Sequence, residues 1–481
     1  MKSVWEEAVE IGERKSLEGN LDVDVAVIGA GMAGILTAFA LKCQGKNVVV
    51  LEADRIGSGQ TGKTTAKITA QHGLIYHKMI RRYGVEKASV YARANRVAID
   101  AFEWIVKERK IDCHFKRVPA YLYSTTDDRK LKKEAEAAEV LGIRAFFTRE
   151  TELPFEVKGA VCFQDQAQFH PLLFVKEIAK ELTIYEKTKV LSVRGHKIET
   201  EGGTVTAEHI VFATHYPITN LPGFYFLRQH QERSYVLAVS GVKRPEGIYY
   251  GIDKKGISFR STEEALLLGG GGHRTGENKK GGAYEELVKA AEQYFPQYEE
   301  KARWSAQDCM PHDGIPFIGK YSVFRPYWYV ATGFQKWGMT SSMLSAIIIC
   351  DRICGRDNPY ERLFKPQRFH FFASLELLLK DVGKSVKGLA KGFFHLPFKT
   401  LDSLPKGHGG IIRIGFRRFA CYKDEHGNVH RILARCPHMG CELEWNPDEL
   451  SWDCPCHGSR YDVDGKLLDC PAQKEKKFSV T

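Results

Sequence analysis

Asp22-Val-Asp-Val-Ala-Val-Ile28-Gly29-Ala-Gly31-Met-Ala-Gly34 carries the reading of this chain. The valine-rich run is short and apolar, as a buried parallel strand is. Three glycines then close a turn, and Met32 to Cys43 has helical composition. Asn47-Val-Val-Val-Leu51 reads as a second strand, ending at Glu52, which lies 18 residues after Gly34. A lone Gly-x-Gly-x-x-Gly is a weak signal, but a strand before it, a helix after it and an acid at the end of the next strand make it a dinucleotide site. Gly29 permits the tight turn, Gly31 lets backbone approach a pyrophosphate, and Gly34 allows close helix–strand packing. The helix N-terminus offers N–H groups and partial positive charge to phosphates. Glu52 accepts from ribose hydroxyls and disfavours a 2′-phosphate.

The residues beyond Glu52 separate a flavin from a nicotinamide. Arg55-Ile-Gly-Ser-Gly-Gln-Thr61-Gly-Lys-Thr64-Thr65 is a glycine- and hydroxyl-rich loop suited to run along an extended cofactor. Late in the chain, Asp313-Gly-Ile-Pro-Phe-Ile-Gly319 and Ala331-Thr332-Gly333-Phe-Gln-Lys-Trp-Gly338-Met-Thr340 form a second glycine-rich strand–helix junction. On these motifs, residues 20 to 355 resemble the glycine/D-amino-acid oxidase family of FAD-dependent oxidoreductases. The resemblance implies that Thr332, Gly333, Gly338 and Thr340 lie near the flavin, with Arg55, Thr61, Thr64 and Thr65 along the cofactor. Lys336 and Trp337 either face the ring or sit on a surface loop. Family members that attach flavin covalently use a cysteine about seven residues before the aspartate matched by Asp313. Ala306 stands there and Cys309 is out of register, so non-covalent FAD is expected.

The chain has 481 residues, 43% hydrophobic and 27% charged, which is ordinary globular composition of two to four domains. No apolar run approaches a membrane span, and Met1-Lys-Ser-Val-Trp-Glu-Glu has acids where a signal peptide has its apolar region. A cytoplasmic protein is expected. The net charge of +11 is uneven. Residues 364–399 hold seven Lys/Arg against Glu376 and Asp381. With no zinc-finger, RNP or basic-zipper signature, this does not indicate nucleic-acid binding.

Of twelve cysteines, Cys436, Cys441, Cys454 and Cys456 fall within 21 residues, interleaved with His438 and His457. In Cys436-Pro-His438-Met-Gly-Cys441 and Cys454-Pro-Cys456-His457-Gly-Ser459-Arg-Tyr461, each half contributes one thiolate and one imidazole. Zinc fingers keep Cys-Cys then His-His. A Rieske 2Fe–2S centre holds one iron by two thiolates and the other by two imidazoles. Residues 405 to 481 resemble the Rieske family. The match assigns Cys436, His438, Cys454 and His457 as cluster ligands. It pairs Cys441 with Cys456 as a disulfide, and it makes Ser459 and Tyr461 hydroxyl donors to cluster sulfurs. The Gly-Pro-Ala turn usual near this end reads Cys470-Pro471-Ala472 here.

The expected architecture is α/β. A Rossmann-like FAD-binding region is interleaved with an antiparallel-sheet substrate region, and a small all-β Rieske domain follows. The divisions are 1–360, a basic linker with a helix at 361–404, and 405–481. The lysines of 374–395 suit a membrane-surface helix, a docking face for an acidic acceptor, or, as preferred, a solvated helix packing one domain on the other. The expected activity is oxidation of an amine, amino acid or related small-molecule donor. FAD then passes single electrons to the cluster and to an external acceptor, a protein or a quinone. The alternative is an electron-transfer module reduced by a nicotinamide or a partner protein, which a single nucleotide fold disfavours. No catalytic residue is assigned. Arg274 is either a carboxylate clamp or, preferred, one side of a structural salt bridge.

Overall fold

The computed structural model describes residues 1–368 and 400–476. The basic segment 374–395 lies outside them.

Strand Leu21–Ile28 is buried along its C-terminal half and sits at the centre of an eight-stranded sheet. It pairs in parallel with Val48–Leu51 on one side and Thr204–Phe212 on the other. Arg325–Thr332 extends the parallel set from Thr204–Phe212. Covering on both faces explains why the C-terminal ends of these strands, where they are buried, are largely apolar. The helix Met32–Cys43 packs on one face, together with the apolar helix Gly338–Ile353. The hairpin Val190–Arg194 and Lys197–Thr200 joins this sheet through Thr204–Phe212.

A nine-stranded sheet forms the second layer of the same body. Its pairings are antiparallel, except that Ile248–Gly251 runs parallel to Lys116–Ser124. Its longest members, Gln229–Ser240 and Glu299–Pro311, pair along most of their length. The short helix Glu361–Phe364 and the buried Arg368 still pack on this body. Arg368 grips Asp313 with two bonds, 2.7 and 3.0 Å.

The C-terminal module is all β. His408–Ile414, Arg417–Lys423 and Val429–Leu433 form a meander, and four short strands from Glu444 to Asp469 form a second sheet. Glycines with positive φ close two of its turns, Gly427 after Asp424 and Gly465 after Asp462.

Candidate redox sites and the seam between them

The nucleotide turn has the geometry its glycines predict. Gly29 has φ +104°, and a Cβ there would lie 2.7 Å from Ala213 O. A Cβ on Gly34 would lie 1.9 Å from Gly29 O, so only glycine lets the helix come this close. Gly31, at the N-cap, has no side chain of its own to occupy the first N–H groups of the helix. Thr61 Oγ1 accepts from Met32 N at 2.9 Å. The Glu52 carboxylate accepts from Ala30 N at 2.7 Å and Asp54 N at 2.9 Å, which holds it at the end of its strand. This cradle fits a dinucleotide.

Several candidate cofactor residues have other partners. The Arg55 guanidinium turns to Glu13, Glu186 and Ile11 O, fastening the N-terminal segment. Two carboxylates and a carbonyl are its partners within the chain. Thr332 Oγ1 donates to His215 O at 2.6 Å. Thr340 is buried against Thr69 O and His72. Gly333 has φ +74°, and Gly338 opens the helix that runs to Ile353. Trp337 is buried, stacked on His72 with ring centroids 4.9 Å apart. Burial pushes the His72 pKa down to about 3, so the ring is neutral. His72 lies 268 residues from its partner Thr340, and no local pattern announces it.

A cavity of 660 Å³ opens beside this junction. Thr64, Thr65, Lys67, Glu232, Asp308 and Lys336 are among its lining residues. Lys336 Nζ lies 3.7 Å from both Glu232 and Asp308 and donates to Ser234 Oγ at 2.6 Å. Burial raises the Asp308 pKa to about 6, although Lys336 opposes it. Burial, then Arg260 and Lys336, lower that of Lys67 to about 7. Ala306 lines the cavity, whereas the Cys309 thiol is buried and donates to His215 O.

The cluster loops are two copies of one design. Cys436 O accepts from Gly440 N and Cys454 O accepts from Gly458 N, both at 2.9 Å, and both glycines have positive φ. Cys436 and Cys454 are buried, as is the Cys441–Cys456 disulfide that joins the loops. The imidazoles of His438 and His457 meet edge to face, centroids 4.9 Å apart. Nδ1 of His438 is buried with no hydrogen-bond partner, a lone pair aimed into the site. Burial lowers the His438 pKa to about 4, which leaves the neutral form that binds metal. A bond from Cys454 lowers the Cys436 pKa to about 6. Burial opposes this, while the His438 N–H, Ser459 and Tyr461 reinforce it. Tyr461 OH lies 4.0 Å from Cys436 Sγ. Two thiols and two imidazoles on paired loops fit a Rieske cluster.

Residues 24–352 match the FAD dependent oxidoreductase model, and residues 396–479 match the Rieske [2Fe-2S] domain model. The chain belongs to the FAD-dependent oxidoreductase family and ends in a Rieske domain. YhfW of Bacillus subtilis, named as a Rieske 2Fe-2S iron-sulfur protein, is 36% identical over 99% of this chain and 97% of its own length. The gamma-glutamylputrescine oxidoreductase of Escherichia coli is 22% identical over 75% of this chain and 88% of its own. Glycine oxidase from Geobacillus kaustophilus superposes with a TM-score of 0.62 and 20% identity. It covers 73% of this chain and 100% of the oxidase chain, and it shares the fold. The cofactors are FAD and a 2Fe–2S cluster. No helix among the described residues is long and apolar enough to cross a membrane.

The Rieske domain seats its cluster loops on the flavin domain. Gly458 has φ +87°, and a Cβ there would lie 2.7 Å from Gln231 Cβ. A Cβ on Gly276 would lie 2.7 Å from Pro455 Cα. Arg274 donates to the carbonyls of Pro455 and Cys456 at 3.3 and 3.2 Å. It is thus a tie to the cluster loop rather than a carboxylate clamp. Arg233, 1% exposed, pairs with Glu449 and Asp469 of the Rieske domain. Cys470 directs its thiol to Thr214 O of the flavin domain.

Proposed function

We propose that this protein is a flavin-dependent dehydrogenase that oxidises an amine, an amino acid or a related small molecule. Its electrons pass from FAD, one at a time, to the Rieske cluster and then to an external one-electron acceptor. The observation that carries this reading is the seating of the cluster loops on the flavin domain at Gly458 and Gly276, where no side chain would fit. When bound, FAD supplies a two-electron acceptor and the cluster a one-electron carrier. The relatives named for glycine and for gamma-glutamylputrescine support an amine-bearing donor.

The chain's own residues give the cavity both signs of charge. Glu232 and Asp308 suit a substrate ammonium, and Lys336 suits a carboxylate. Lys67 is also the candidate base. A group with a pKa near 7 takes a proton from a substrate ammonium at neutral pH, and only the neutral amine has the lone pair that oxidation at the adjacent carbon needs.

The test is anaerobic bleaching of the flavin across a panel of amines and amino acids. An active substrate should bleach flavin in wild type and in Cys454→Ala, while turnover with a one-electron protein acceptor collapses in the variant. Peroxide formed as fast as substrate is consumed, with an acceptor present, would make the protein an oxidase instead. A flavin bleached by nicotinamide and by no amine would make it an electron-transfer module.

A further inference from the structure

Resting on the reading above that flavin and cluster exchange electrons, we propose that Gln231 and Gln307 position the His457 loop for that exchange. In this arrangement the His457 loop is the one by which electrons enter the cluster.

Both glutamines are buried in the middle of the molecule, 1% and 0% exposed. They lie on the paired strands Gln229–Ser240 and Glu299–Pro311. Gln307 Nε2 donates to Gln231 Oε1 at 2.7 Å and to Gly458 O at 2.8 Å. Gln231 Nε2 donates to His457 O at 2.6 Å and to Cys470 O at 2.9 Å. All four amide hydrogens are therefore placed, and three of them go to the Rieske domain. A buried amide pair this fully satisfied admits one arrangement.

The other contacts of the pair lead into the flavin domain. Gln307 N donates to Gln60 Oε1 at 2.6 Å. Gln60 belongs to the cofactor loop and precedes Thr61, which holds the N-terminus of the nucleotide helix. Two residues before Gln231, Gln229 Nε2 donates to Thr332 Oγ1 at 3.3 Å, at the junction that opens on Gly333. Gln60 also donates to Asp469 of the Rieske domain at 2.9 Å, so the cofactor loop and the strands that carry the two glutamines meet the Rieske domain at the same place.

The two imidazoles are placed differently. His457 is 6% exposed and lies against Phe226. His438 is half-buried, its Nε2 bonded to Asn220 Oδ1 at 2.8 Å, between exposed Pro437 and exposed Met439. For each substrate molecule oxidised, two electrons leave the reduced flavin singly. Each reduces the oxidised cluster, and the external one-electron acceptor reoxidises it. The flavin's protons go to solvent.

The experiment uses the full-length holoprotein without oxygen, with the flavin reduced photochemically so that no substrate is needed. Failure of the amine reading therefore leaves this test intact. Cluster reduction is followed by its visible bleaching and its EPR signal. Gln231→Leu and Gln307→Leu should keep wild-type flavin content, iron content, g-values and cluster midpoint potential. Flavin-to-cluster transfer should slow by about tenfold, the shift that losing two such hydrogen bonds imposes on a docked equilibrium. A role confined to holding the fold would move content or potential instead. If Gln231→Leu alone loses iron, Gln307→Leu carries the test. Wild-type transfer in an iron-replete variant overturns the proposal. So does loss of iron in both variants, or slowing confined to Asn220→Ala on the His438 side.

Discussion

Tyr461 and Lys67 are the two residues whose proposed roles can be tested one side chain at a time. Tyr461 OH sits at the edge of bonding distance from Cys436 Sγ, a proposed thiolate ligand. A donor to a cluster sulfur favours the more negative, reduced state. Tyr461→Phe should therefore lower the midpoint potential without loss of iron. The ceiling is about 60–130 mV, the one-electron equivalent of about 1.5–3 kcal/mol for a hydrogen bond to a charged group. Redox titration by EPR measures it, and an unchanged potential means that the hydroxyl does not serve the sulfur. Lys67 acts as a base only when deprotonated. Activity should then be low below its pKa near 7 and rise as pH passes through it. In Lys67→Met that limb should vanish from the pH profile of kcat/KM. A limb that survives belongs to the substrate amine or to another group.

Among the elements, the nucleotide turn and the long paired strands matter most. Gly34→Ala places a methyl where 1.9 Å separates it from Gly29 O. The helix must move away from the strand, and FAD should be lost. Iron should stay at about two atoms per chain, since the cluster's ligands all lie in the Rieske domain. The flavin-to-iron ratio of purified protein reads this directly. In the two long strands, alternation divides the labour. Gln231, Arg233, Ser305 and Gln307 face the Rieske side, while Glu232, Ser234, Ala306 and Asp308 line the cavity. Successive side chains of a strand point to opposite faces, so one pair of strands serves the substrate on one face and the cluster on the other. Gln229 to Arg233 has none of the apolar character that marks a buried strand, whereas Tyr235 to Val239 has it. Those polar residues are buried because a second domain covers them.

Across the whole molecule, the seam is held by buried charge. Arg233 and Arg460 share Glu449 and Asp469, and Arg460 also binds Asp453. Burial pushes the Glu449 and Asp469 carboxyls up, but the arginines outweigh it and both end below their usual values. A carboxyl lowered on folding stabilises at pH above its unfolded pKa of about 4, and that contribution is lost as pH falls through the folded value. Docking should hold from neutral pH down to about 4 and weaken below it. Flavin-to-cluster transfer and small-angle scattering, followed together through an acid titration, check this. A transfer rate that falls well above that range, or scattering that shows no opening below it, argues against these pairs as the clasp. Removing one partner of such a buried set costs more than the set contributes, because an uncompensated charge remains.

The two cofactors were legible in residue order because each rests on local geometry. A glycine turn between strand and helix needs its three glycines at fixed spacing, and a cluster needs its thiolates and imidazoles on short loops. Gly29, Gly31 and Gly34 adopt the expected turn, and Cys436, His438, Cys454 and His457 come together on paired loops, because no distant contact is required to build either. The cavity charges, the buried His72 and the seam could not be read this way. Glu232 meets Lys336 across 104 residues, and Gln231 meets His457 across 226. A glutamine or lysine in sequence carries no mark of the partner that will desolvate it. Arg55 and Arg274 make the same point in reverse, since each suits an anionic ligand until the fold supplies Glu13 and Glu186 to one and the cluster-loop carbonyls to the other. Spacing along the chain is enough to specify a cofactor cradle. Which polar side chains are buried, and against what, depends on packing two domains together, because desolvation and pairing are properties of the assembled interior.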